Sequence, residues 1–126
     1  MPEGDTVYLA AKRLDALLAG RRIDRSDGRL PSLATIDFAG IDCLGVHPVG
    51  KHLLFRFSNE TSLHTHFRMD GSWHIYRTGQ RWRGGPMHAV RLVLYSGDAV
   101  AVGYRLHDVL VLPTTREADV IGHLGP

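Results

Sequence analysis

Beyond Leu30 the chain breaks into short apolar segments parted by turn signals, and this pattern most restricts what it can fold into. Ala34–Phe38, Ile41–Val46, His52–Phe57, Ser62–Phe67, Ser72–Tyr76, Ala89–Tyr95, Ala99–Tyr104 and Val109–Leu112 have the length and composition of strands. Between them lie Ala39-Gly40, Pro48-Val49-Gly50, Ser58-Asn59-Glu60, Asp70-Gly71 and Ser96-Gly97-Asp98. Closely spaced strands of this kind predict an antiparallel sandwich or barrel, not a parallel sheet. Before them, residues 5–19 read as a helix. Val7, Ala10, Ala11, Leu14, Leu17 and Leu18 recur at helical spacing. Asp5 or Thr6 is placed to cap its start, and Gly20 falls where a left-handed terminating residue is wanted. The longest polar, glycine-containing stretch, Arg77–Pro86, reads as a mobile hairpin loop. The expected architecture is therefore mainly β with one N-terminal α-helix: a helix leading into a two-sheet antiparallel β-sandwich.

At 126 residues the chain has the size of one domain. With 44% hydrophobic and 22% charged residues it can bury a core, which excludes a disordered chain. No apolar run approaches the ~18 residues of a membrane span. The start, MPEGDTVYLA, is acidic rather than basic and carries no apolar signal-peptide core. The single cysteine, Cys43, cannot form an intrachain disulfide or supply a four-thiolate zinc site. These features lead us to expect a reducing, cytoplasmic setting. Of 15 basic residues only Lys12 and Lys51 are lysine. Arginine suits phosphates through its planar fork, although a GC-rich genome produces the same bias.

Five features could carry chemistry. Removal of Met1 would expose a secondary amine on Pro2. An α-amino group has a pKa of about 7.7–8.0, so it is partly unprotonated at neutral pH, as lysine is not. A secondary amine that attacks an aldehydic carbon gives an iminium, an effective electron sink for elimination. Glu3, adjacent, is placed to exchange protons with a substrate held there. Lys51 follows Gly50 at the mouth of an apolar strand, where it is either aimed at a ligand or an ordinary solvated turn residue. His64 and His66 alternate and share a strand face; further ligands at useful spacing would be needed before they read as a metal site. Met69, before Asp70-Gly71, is a hydrophobe at a hairpin tip, either packed under a neighbouring loop or able to fill the place of an extruded base. Arg77–His88 interleaves three arginines with Trp82, a composition that suits nucleic acid and also suits a plain polar loop.

These features occur together and in order. Met-Pro-Glu-Gly-Asp-Thr-Val, Gly50-Lys51-His52-Leu53-Leu54-Phe55, His66-Phe67-Arg68-Met69-Asp70-Gly71-Ser72 and His123-Leu124-Gly125-Pro126 closely resemble the Fpg/Nei family of DNA glycosylases. The Pro-Glu-Gly-Asp-Thr start is similar to the endonuclease VIII branch, and to its actinobacterial members in particular.

The resemblance implies a base-excision enzyme that removes oxidised bases, pyrimidines by the likeness to endonuclease VIII, and then nicks the strand. It implies catalytic roles for three residues: Pro2 as the amine that attacks sugar C1′, Glu3 as proton donor in base excision, and Lys51 as phosphate contact and proton donor in β-elimination. It implies DNA contacts at Arg68, at Met69 filling the void, at His88 and at His123, which stands where the family has an arginine. Its partner would be damaged double- or single-stranded DNA, bound by a monomer in the nucleoid-associated cytoplasm. Residues 1–126 would form the N-terminal catalytic β-sandwich domain. The helix-two-turn-helix and zinc-finger domains to which Leu-Gly-Pro leads in the family are not in this sequence. Hence no cofactor is expected in this chain, and zinc is expected in the C-terminal part. The Arg-Arg-Phe wedge of the Fpg branch has no counterpart, since Tyr104-Arg105-Leu106-His107-Asp108 stands there. Two alternatives remain from the residues alone. One is a non-catalytic β-domain that binds damaged or single-stranded DNA; the other is a cupin-like metalloenzyme using His64, His66 and His107.

Overall fold

A computed structural model describes residues 4–66 and 70–121. Helix α1 spans Gly4–Leu18, and its stripe is buried as its spacing requires: Val7, Ala11, Leu14 and Leu18 are at most 1% exposed. Val7, Leu14 and Leu18 each contribute about 1.5–3 kcal/mol on leaving water. The helix ends at Gly20, whose φ of 77° is the left-handed terminator expected. The Asp5 and Thr6 side chains lie outside the described part.

Among the described residues nine strands follow: β1 (Arg21–Arg22), β2 (Arg25–Gly28), β3 (Asp42–Val49), β4 (His52–Phe57), β5 (Thr61–His66), β6 (Ser72–Arg77), β7 (Val90–Ser96), β8 (Ala99–Tyr104) and β9 (His107–Pro113). They form two sheets, ordered β1-β3-β4-β5-β9 and β2-β7-β8-β6, and every pairing is antiparallel. The short helix α2 (Ala118–Ile121) follows β9. This is the helix-plus-two-sheet sandwich that the sequence predicts.

The main core lies where α1 and the inner faces of both sheets meet: Leu53, Phe55 and Phe57 from β4, Leu63 from β5, Trp73 from β6, and Leu92 and Leu94 from β7. A second cluster forms on the outer face of the four-stranded sheet, from Tyr76, Val93, Val100, Val102 and Tyr104. Strand β8 therefore has apolar neighbours on both faces and is buried along its whole length. Its sequence, AVAVGY, shows no polar alternation for this reason.

The structure corrects three expectations. Asp70-Gly71 is not a hairpin turn, because β5 and β6 on either side of it belong to different sheets. Ala34–Phe38 is not a strand. Pro31 opens a 3-10 turn at Pro31–Leu33, and the backbone continues in tight turns, with the amides of Ala34 and Ile36 donating to the carbonyls of Pro31 and Leu33. Its apolar residues pack as a loop, and Phe38 tilts against Phe57 at 4.9 Å. Nor is Arg77–Pro86 a mobile hairpin loop. Strands β6 and β7 flank β8, so the connection between them crosses the sheet instead of turning back. The Tyr76 hydroxyl accepts hydrogen bonds from the amides of Arg83 and Gly84, at 2.9 and 2.7 Å, and Trp82 stacks on the Tyr76 ring at 6.1 Å. The segment is a cover for the second cluster, pinned by one hydroxyl.

Candidate functional site

Of the features that the sequence singles out, one end of the sandwich gathers Lys51, His64, His66 and His88. Strands β4 and β6 start there, β5 and β8 end there, and β9 begins there. The first turns of α1 reach the same end, since Leu9 and Ala10 line a cavity of about 540 Å³ together with Gly71, Ser72 and Trp73.

Lys51 sits in the tight turn between β3 and β4. Val49 pairs with His52, leaving Gly50 and Lys51 as the connecting residues. Gly50 has φ 59° while Lys51 does not, the requirement of a type II′ hairpin with glycine first. Lys51 is thereby exposed at the rim. His88 lies in the 3-10 turn Met87–Ala89 ahead of β7, where it is exposed. That turn is tied to the same end by the Arg105 amide, which donates to the Ala89 carbonyl at 2.8 Å. Of the predicted site residues, Lys51 and His88 therefore share this end on opposite sheets. Pro2, Glu3, Arg68, Met69 and His123 lie outside the described residues.

Between Lys51 and β9 stands a group that the motif reading largely passed over. His52 Nδ1 lies 2.6 Å from His64 Nε2, and His64 Nδ1 lies 3.1 Å from the Asp108 carbonyl oxygen. The His66 ring stacks on His52 with centroids 4.1 Å apart, and its Nδ1 is 3.3 Å from an Asp108 carboxylate oxygen. The alternation of His64 and His66 does put them on one face, and their common partner is Asp108. Burial pushes the His64 imidazole below the usual histidine range, against the opposing pull of its bond to the Asp108 backbone. Nearby, His107 meets the Asp70 carboxylate at 2.8 Å, and this hydrogen bond holds Asp70 below the ordinary carboxylate range. His52 was visible in the Gly-Lys-His motif, but only its cross-strand pairing with His66 shows what it touches.

Both His64 ring nitrogens are engaged within the protein, Nε2 with His52 and Nδ1 with Asp108. Among the described residues no cluster of three or more His, Cys, Asp or Glu side chains is placed to hold a metal ion. Cys43 is buried, and burial pushes its thiol up to about 11.

Residues 1–109 match the family model described as the formamidopyrimidine-DNA glycosylase N-terminal domain. The chain belongs to that family. Within it, the sequence is 52% identical over all 126 residues to a probable endonuclease 8 2 of Streptomyces coelicolor, covering 46% of that protein. It is 39% identical to the DNA-(apurinic or apyrimidinic site) lyase Nei2 of Mycolicibacterium smegmatis, again over the whole chain and covering 48% of that protein. The chain thus spans about half the length of the curated relatives it matches. Among solved structures, MutM in complex with DNA containing carbocyclic 8-oxo-G superposes with a TM-score of 0.79 at 17% identity, over 97% of this chain and 49% of that one. The Lactococcus lactis formamidopyrimidine-DNA glycosylase bound to abasic-site DNA gives 0.76 at 17% identity, over 94% of this chain and 47% of that one. These likenesses establish the glycosylase N-terminal fold. No described helix is long and apolar enough to cross a membrane.

Proposed function

We propose that this chain is the N-terminal catalytic domain of an endonuclease VIII-type DNA glycosylase and AP lyase that acts on oxidised bases, pyrimidines in particular. The observation that carries the reading is similarity, over the whole of this chain and about half of each relative, to proteins named endonuclease 8 and AP lyase, joined to a fold that brings Lys51 to the end reached by the first turns of α1.

The chemistry follows from an amine at the chain start. Once Met1 is removed, the Pro2 nitrogen attacks C1′ of the damaged nucleotide. The C1′–N bond to the base breaks, and the base leaves with a proton that Glu3 supplies. The proton that the Pro2 nitrogen sheds on bonding to C1′ passes, through the Glu3 carboxylate, to the ring oxygen, which departs from C1′ as a hydroxyl and leaves an iminium between Pro2 and the opened sugar. This cation acidifies the C2′ proton; its loss expels the 3′ phosphate by β-elimination and cuts the strand. Lys51 holds the backbone phosphate and supplies protons in that step. Arg68, His88 and His123 contact the DNA, and Met69 fills the space that the extruded nucleotide leaves. The partner is damaged DNA, bound by a monomer in the cytoplasm. With half of its relatives' length, the chain alone works weakly, and zinc belongs to the other half.

The test is strand nicking of an abasic duplex by chains of known N-terminal mass. Preparations starting at Pro2 should nick, and preparations that retain Met1 should bind without nicking. Equal nicking by both would overturn the proline mechanism, and binding without nicking by both would favour a non-catalytic DNA-binding domain.

A further inference from the structure

The proton positions in the histidine group can be worked out from its geometry. A carbonyl oxygen only accepts, so the His64 nitrogen facing Asp108, Nδ1, carries the hydrogen. In the neutral ring that leaves Nε2 with a lone pair. At 2.6 Å from His52 Nδ1 there is room for one hydrogen between the two nitrogens, and His52 must supply it. The ring planes differ by only 21° with centroids 4.8 Å apart, an edge-to-edge arrangement that aims the lone pair at the donor. His52 is thus held at its edge by His64 and on its face by His66, both from β5, while its own backbone follows directly on Lys51.

We propose that His64 is a positioning residue: by accepting a hydrogen bond from His52 it fixes the first residue of β4, and with it the placement of Lys51 toward the DNA backbone. This rests on the DNA-directed reading above. The group that sets the pair is the Asp108 carbonyl, and Asp108 sits at φ 53°, a conformation non-glycine residues keep only when their surroundings impose it. The charged and titratable groups packed around His52 and His64 are Lys51 in the turn before β4, His66 on β5, and His107 and Asp108 on β9, with Asp70 paired to His107. Along the same face, His47 on β3 and the Arg56–Glu117 pair follow.

A pH dependence comes with the arrangement. Protonation of His64 would place hydrogens on both of its ring nitrogens, so two donors would meet at the His52 contact and the bond would be lost. A charge on His52 has no such effect, because Nδ1–H donates in either state. Lys51-dependent chemistry should therefore fail toward acid as His64 takes up a proton.

Two measurements test this. Imidazole 15N spectra of the free chain should show His64 protonated at Nδ1 and bare at Nε2 near neutral pH; the opposite tautomer would overturn the proposal whatever the chain does to DNA. Single-turnover nicking of an abasic duplex, which reports the β-elimination that Lys51 serves, should then be followed against pH for wild type, His64→Leu and His64→Gln. Leucine removes the acceptor, and we expect nicking at saturating DNA to fall roughly tenfold, the scale of lost positioning. Glutamine keeps an acceptor oxygen but does not titrate, so it should restore most of the rate at neutral pH and abolish the His64 limb of the acid profile. If the leucine variant fails to fold, the glutamine profile decides. Unchanged rates and an unchanged acid limb in the variants would overturn the proposal while leaving the repair reading intact. Absence of nicking by wild-type chains that start at Pro2 would instead overturn the repair reading and this inference with it.

Discussion

The Arg56 guanidinium meets the Glu117 carboxylate through two N–H···O bonds, of 3.0 and 2.8 Å, across 61 positions of sequence. Ser62 Oγ donates to the same carboxylate, and Glu117 is only 8% exposed. The pair fastens the segment after β9 to the outer face of the five-stranded sheet. Arg56 and Ser62 hold the Glu117 carboxyl below its usual range.

Glu117→Gln removes that charge and should destabilise the chain by about 1–2 kcal/mol, between the worth of an exposed and a buried pair. The sign with pH follows from the lowered folded value. The contribution is present above the unfolded carboxyl range near 4.5 and is lost as pH falls below it. Thermal unfolding across that window should show a steeper acid limb in wild type than in the variant. Parallel limbs would mean that the carboxylate contributes nothing.

His64 acts in a different window. Its folded value is lowered, chiefly by burial, so the native state resists a proton that the unfolded chain accepts. Stability is then complete above about 6.5 and declines as pH falls below it, by at most ~1.4 kcal/mol per pH unit for one proton. His74, lowered by burial alone, adds to the same decline. Urea unfolding between pH 7 and pH 5 should give a shallower decline for His64→Gln than for wild type, and an equal decline would exclude His64 as its source.

The cover over the second cluster depends on Gly84. A Cβ there would lie 2.5 Å from ring atoms of both His74 and Tyr104, and Tyr104 is fully buried. Gly84→Ala should cost about 1–3 kcal/mol, as overpacking does, and lift the segment. Tyr76→Phe should loosen the same segment by taking away the acceptor of two amides, each of which costs about 1–3 kcal/mol if left unpaired. Limited trypsinolysis reads both: cleavage after Arg81 and Arg83 should quicken in either variant, and unchanged cleavage would show that the segment is held by other contacts.

What could be read in advance depended on whether the deciding interaction was local. The α1 stripe was legible because its burial follows from a 3.6-residue period, and Gly20 because a helix end asks for positive φ. Strand β2 was not, because Arg25-Ser26-Asp27-Gly28 has no apolar pattern; it is a strand only because β7 offers it hydrogen bonds. The polar composition of Arg77–Pro86 suggested mobility for the same reason, since Tyr76 and Gly84 reveal the anchor only when folded together. At the candidate site, Lys51 was legible from its glycine turn, and His64 and His66 from their alternation. The bond from His52 to His64 depends on the register between β4 and β5, which no local pattern fixes.

The central claim is that the reactive amine is the chain's own N-terminal proline. It is tested most directly by borohydride reduction of the chain on an abasic duplex, followed by mass mapping of the cross-linked peptide; trapping accumulates adduct, so weak turnover suffices. The account predicts one covalent adduct, carried by Pro2 in chains that have lost Met1 and absent when the N-terminus is blocked. An adduct mapped to Lys51 or Lys12, or one that survives blocking of the N-terminus, would contradict it.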